Sequence, residues 1–360
     1  MSDSNGNNPR LLDWGLAEHV AVAISGAGGA PEAVRAERVE GAAARAIEQV
    51  ASYTELEPLA VLPQPELVDR AEWIRANLAT FRGMSGDLEL RLTESVRIAE
   101  PLRGITRRVA GTVGGTQLGL VLGYVGRKVL GQYDIAILGP DRPPRLLFVG
   151  PNLTDAHARL GGDGGLFLHW IALHEATHAF QFASVPWLRG HLGGMVEELL
   201  DGATLGADLA ALRENLKRLV SRPDPRRLAV ELRDEGLVML VAGPAQRELL
   251  GRLQATMAVI EGYAEHVMDA IGDELDPGYG RLREAIEAER RRRGMLDAIV
   301  VRLLGLDMKL RQYGLGKRFA DFVAARSGIT GLNAVWREPA ALPRTGELES
   351  PDRWLARLSV

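Results

Sequence analysis

The chain has 360 residues, 46% of them hydrophobic and 25% charged, the usage of a globular protein and not of a disordered one. Its 43 basic and 47 acidic residues leave a formal charge of −4, which argues against a nucleic-acid-binding module with its basic surplus. The cysteine count is 0, so a disulfide framework, a thiolate metal site and a cysteine nucleophile are excluded.

Met1 to Arg10 is rich in Ser, Asn and Gly and has no apolar core, so it reads as a disordered tail and not a signal peptide. A cytoplasmic protein is expected. Helices are expected over Leu11 to Ser25 and Pro31 to Tyr53, with a Gly-rich turn between them. A Pro-spaced connection, Pro58 to Pro65, leads into an expected helix over Glu66 to Phe81, and helical patterning resumes from Leu88 to Val109. Val109 to Gly126 carries no charge, yet it holds six Gly between flanking Arg and Lys pairs. That composition suits a buried helix packed closely through small residues better than a membrane span. Strands are expected at Asp134 to Leu138 and Arg145 to Val149, the second offering an edge to an extended peptide. Asn152 to Gly165 reads as a loop and Leu166 to Phe182 as a helix. A long helix over Val196 to Val220 ends at the breaker Ser221–Arg222–Pro223–Asp224–Pro225. Leu228 to Ala242, Pro244 to Ile271 and Arg281 to Arg293 read as further helices, and the chain turns loop-rich after about Gly328. The fold class is therefore α+β, mostly α, with one small sheet.

The chemistry lies in His174–Glu175–Ala176–Thr177–His178. Positions i and i+4 stand one turn apart on one helix face, so both imidazoles reach a single ion, and Glu175 projects beside it as a general base. The flanks Leu166 to Leu173 and Ala179 to Phe182 are mostly apolar, and burying such a polar group unpaired there costs several kcal/mol. Zinc is the expected ion, because two imidazoles and a carboxylate leave a position open for water. The metzincin pattern is excluded: it needs Gly and His where Gln181 and Ser184 stand. A glutamate must then complete the site, as in gluzincins. Glu261 interrupts an apolar helix and is followed by Gly262, which removes a side chain beside the site. Its Glu-Gly-x-Ala segment resembles the one that carries the third ligand in gluzincins. Glu197, Glu198 and Glu265 remain alternatives, the first two also reading as ordinary acids in a first helical turn. His266 and Tyr263 are candidate donors to an oxyanion, and Asp269 could orient a ligand histidine.

Three segments together, His174–Glu175–Ala176–Thr177–His178, Val185–Pro186–Trp187–Leu188–Arg189 and Glu261 to Asp269, resemble a zincin-like family of actinobacteria and Chloroflexus relatives. Its members carry the labels zinc-dependent metallopeptidase or deazaflavin-coenzyme-biosynthesis-associated protein. The likeness extends to Gly131–Gln132–Tyr133–Asp134 and Val335–Trp336. It implies a zincin-like α+β fold in which residues 11–220 form a lobe carrying the His-Glu-x-x-His helix. Residues 226–360 then form a helical lobe supplying the third ligand. The expected activity is hydrolysis of a peptide or protein substrate, with Zn2+ held by His174, His178 and Glu261, Glu175 as base, and neither nucleic acid nor membrane as partner. The alternative is a non-catalytic protein that keeps the metal site for structure or partner binding.

Overall fold

The computed structural model describes residues 12–26, 34–95, 100–137, 142–205, 244–275, 278–289 and 309–359. The expected N-terminal tail, the breaker at 221–225, the helix expected over Leu228 to Ala242 and the Arg290 to Arg293 end of another lie outside them. The chain divides into two compact units. The first takes Met1–Val39 and Pro65–Ala158, and the second Glu40–Gln64 and Arg159–Val360.

The first unit is built on α1 (Trp14–Ser25), β1 (Pro65–Val68), α3 (Arg70–Ser95), α4 (Glu100–Gly126), β2 (Gly131–Asp134) and β3 (Arg145–Val149). Helix α2 (Ala36–Thr54) begins in it and runs into the second unit. Asp13 caps α1 by accepting from the Leu16 N–H at 2.9 Å. The uncharged Gly-rich stretch is the packing face of α4. A Cβ built on Gly115 would stand 2.5 Å from the Asp13 carbonyl oxygen, one on Gly119 2.7 Å from that of Ala17, and one on Gly123 2.7 Å from that of Ala21. The four-residue repeat of glycine thus lets the two helix backbones meet. Among the described residues no helix is long and apolar enough to cross a membrane. Gly119→Ala is expected to destabilise this unit by about 1–3 kcal/mol, because the added methyl would press on the Ala17 carbonyl and on the stiff β-branched side chain of Val20. A lowered urea midpoint with unchanged slope would register it.

The sheet has the order β1-β3-β2. Strand β1 pairs parallel with β3, Pro65 opposite Leu146 and Val68 opposite Val149. Strand β2 pairs antiparallel, Gly131 opposite Phe148 and Asp134 opposite Arg145. Three expectations are corrected here. Residues 66–68 open no helix but form β1. The strand expected at Asp134 to Leu138 ends where it was to begin. And Arg145 to Val149 is the central strand, with both edges taken, so it offers nothing to a peptide. The physical reason is burial: Leu146 to Val149 are 0–1% exposed, and so apolar a strand needs neighbours on both sides. Across β1 and β3 the Arg145 guanidinium grips Glu66, Nε to Oε1 at 2.9 Å, and holds that carboxyl below its usual range. The loop expected after Asn152 is also a helix, α5 (Gly150–Leu160), which buries Leu153 and Ala156 and stops at Gly161 and Gly162, both at positive φ.

The second unit holds α6 (Gly164–Ser184), α7 (Pro186–Leu205), α8 (Pro244–Leu275), α9 (279–289) and α10 (Lys309–Leu332). It closes with two 3-10 turns and the short α11 (Thr345–Glu349) and α12 (Pro351–Leu358). Helix α7 starts at Pro186, ten residues before the expected Val196, with proline at a position that needs no N–H. The expected loop-rich end is corrected too: α10 runs on through a Gly328 bend, and Trp354 is fully buried, donating from Nε1 to the Ala341 carbonyl at 2.7 Å. Helices of five to eight residues carry too few turns for a readable period.

Candidate metal centre

Helix α6 carries the His-Glu-x-x-His motif. Asp163 caps it, its carboxylate accepting from the Gly165 and Leu166 N–H groups at 2.7 and 2.8 Å. Its apolar residues Phe167, Ile171, Ala172, Ala176, Ala179 and Phe180 are buried, which fixes the helix's rotation. His174, His178 and Gln181, at i, i+4 and i+7, then form one polar stripe. Helix α8 packs against α6. It presents Glu261 and, seven residues on, Met268 to the same place.

There the donors converge. His174 Nε2 and His178 Nε2 are 3.2 Å apart, with their rings nearly perpendicular at 78°. Glu261 Oε2 lies 3.7 Å from the first nitrogen and 3.8 Å from the second. A triangle with those sides has its centre about 2.1 Å from each corner, the bond length that a divalent ion of zinc's size makes to imidazole nitrogen and carboxylate oxygen. The donor set therefore fits a divalent metal. Two neutral nitrogens and one anionic oxygen are also the chemistry such an ion takes from protein.

The family model that matches residues 12–355 is that of the zincin-like metallopeptidases. The chain belongs to the zincin-like metallopeptidase family. Its fold is similar to a crystal structure described as "a putative hydrolase with a novel fold from Chloroflexus aurantiacus". The two are 30% identical, with a TM-score of 0.67, and the likeness covers 97% of this chain and 99% of that one. No curated protein matches.

In this zincin-like chain the three residues brought together are His174, His178 and Glu261. Glu197 and Glu198 are exposed midway along α7, not in a first helical turn, and stand outside the cluster, as does Glu265. Glu175 is buried, 5% exposed, beside His174. His266 is five positions from Glu261, about 140° around the helix, so it projects to another side of α8. Its Nε2 lies 2.9 Å from the Tyr53 hydroxyl and its Nδ1 2.9 Å from Asp321 Oδ1. Burial pushes the Asp321 carboxyl up, but hydrogen bonds from His266 and Lys317 outweigh it and hold the group below its usual range. Tyr263 is fully buried and donates to Asn333 Oδ1 at 2.7 Å; burial drives its phenol pKa far up. Asp269 pairs with Arg283 at 2.7 Å and Lys317 at 2.9 Å, so it orients neither ligand histidine.

The partners of the ligand histidines are residues whose type gave no signal. His174 Nδ1 lies 3.2 Å from the Met268 sulfur, and His178 Nδ1 2.8 Å from Gln181 Oε1. The i+7 place of Gln181 in an apolar helix is the one signal that the sequence offers for it. Gly262 also differs from expectation. Its missing side chain makes room not for the site but for α10: a Cβ there would collide with the backbone of Gly316 and Lys317. Gly316 in turn abuts the Ala258 carbonyl. This interlock lets α8 and α10 meet at backbone distance behind Glu261.

Proposed function

We propose that this chain is a zinc-dependent metallopeptidase of the gluzincin type, cleaving peptide or protein substrates in the cytoplasm. The observation that carries the reading is the convergence of His174 Nε2, His178 Nε2 and the Glu261 carboxylate within 3.2–3.8 Å of one another. A zinc ion held there supplies Lewis acidity, polarising a carbonyl and bringing the pKa of water toward about 7. The chain's own residues do the rest. His174 and His178 offer neutral nitrogens, and Glu261 brings one negative charge from α8 to balance the cation. Glu175 takes a proton from the water that attacks the peptide carbonyl and returns it to the leaving amine. The place of Glu175 beside His174 on α6 supports that role, whereas His266 contacts Tyr53 and Asp321. A site kept for structure alone would need no base at position 175, which favours catalysis over the non-catalytic alternative.

The test is direct. The purified protein is expected to carry zinc and to cleave unfolded casein or a peptide library. A chelator should stop cleavage and added zinc restore it. Zinc-replete protein that leaves every substrate intact would refute the peptidase and leave only a metal-binding scaffold.

A further inference from the structure

We infer that Gln181 is a positioning residue for the metal centre: one buried amide sets the tautomer of His178 and ties it to the backbone that carries Glu261. The inference rests on the metal reading above and deepens it.

Gln181 is fully buried, in a helix whose neighbours are apolar. Its side-chain Nε2 donates to the Ile260 carbonyl at 2.9 Å. A carbonyl can only accept, so this bond fixes which end of the amide faces α8. The other end, Oε1, is then turned to His178 Nδ1 at 2.8 Å. Oε1 can also only accept, so Nδ1 must carry the imidazole proton. The lone pair of a neutral His178 is thereby placed on Nε2, the atom 3.2 Å from His174 Nε2 and 3.8 Å from Glu261 Oε2. An unconstrained neutral imidazole favours the opposite tautomer, with its proton on Nε2, and that form cannot ligate from this position. Ile260 directly precedes Glu261. The same amide therefore links the second ligand to the backbone beside the third and registers α6 against α8. Metal-binding histidines depend on such outer partners for tautomer and ring orientation.

The variant that isolates the amide is Gln181→Met, of similar length and flexibility, which removes the amide donor and replaces its oxygen with a sulfur that is at most a weak acceptor. Competition between the protein and a chromophoric chelator for Zn2+ is expected to show a loss of affinity of about 10–100-fold. Zinc-free protein labelled with 15N-histidine gives a second readout. Long-range 1H–15N correlation should show His178 protonated on Nδ1 in the parent, shifting toward Nε2 in Gln181→Met. Gln181→Glu keeps the acceptor and is expected to hold the Nδ1 tautomer and recover most of the affinity, which a merely space-filling role would not predict. The melting temperature of each zinc-free protein reports on folding, and Gln181→Glu carries the test if Gln181→Met does not fold. Gln181→Met with parental zinc affinity, or with His178 still protonated on Nδ1, overturns the inference. So does Gln181→Glu with an Nε2-protonated His178. A parent protein that takes up no zinc refutes the metal reading instead, while the tautomer measurement still decides the role of Gln181.

Discussion

Glu175→Gln is expected to keep its zinc and to lose peptide hydrolysis by at least about 10²–10⁴-fold, the contribution of a positioned general base. Glutamine has the size and shape of the carboxylate it replaces, so a side chain only 5% exposed can be exchanged without opening a cavity. It cannot accept a proton from water. The loss should fall on kcat, because the group acts as the barrier is crossed; each factor of ten is about 1.4 kcal/mol of transition-state stabilisation. Metal content measured beside kcat/KM separates this from loss of the ion. A variant with full activity would remove Glu175 from the mechanism.

Glu261→Ala is expected to cost the ion itself. Two imidazole nitrogens 3.2 Å apart remain, with no anionic oxygen opposite them. The drop in zinc affinity should exceed the roughly 10–100-fold that the loss of an outer partner costs, and hydrolysis should go with it. Glu265→Ala, one turn further along α8, and Glu197→Ala or Glu198→Ala on the exposed side of α7 are the controls, expected to retain zinc after dialysis. If one of these empties the site while Glu261→Ala does not, the ligand assignment is wrong.

The residues differ in how much of this the sequence could announce. His174, Glu175 and His178 follow from spacing alone, because the period of the helix converts four positions into one face. Glu261 was legible as a charge interrupting an apolar helix just before Gly262, a ground that favours it over Glu197, Glu198 and Glu265; the packing of α8 on α6 sets it beside the two imidazoles. Of the outer partners, Met268 was not legible, and Gln181 only through its i+7 place in an apolar helix. Methionine and glutamine are ordinary helix residues, and only contact with the other helix shows Met268 against one ring and Gln181 against the other. The long helices α1, α2, α6 and α8 were readable because several turns of apolar period accumulate. Strand β1 was not, since the four residues Pro65 to Val68 span barely one helical turn and only two strand periods, too few to tell the templates apart, and its partner lies some eighty positions away. The buried run Leu146 to Val149 announced a strand, but not that it would be flanked on both sides.

The glycine interlock behind Glu261 bears on how firmly that carboxylate is placed. Where Gly262 meets Gly316 and Gly316 meets Ala258, main chain rests on main chain, and neither helix can slip by a residue without a steric collision. Glu261 thus stands on a helix whose position against α10 is set by main-chain packing. On the zinc reading proposed above, that carboxylate is expected to keep its place when a chelator strips the ion, in contrast to small zinc domains that collapse when stripped.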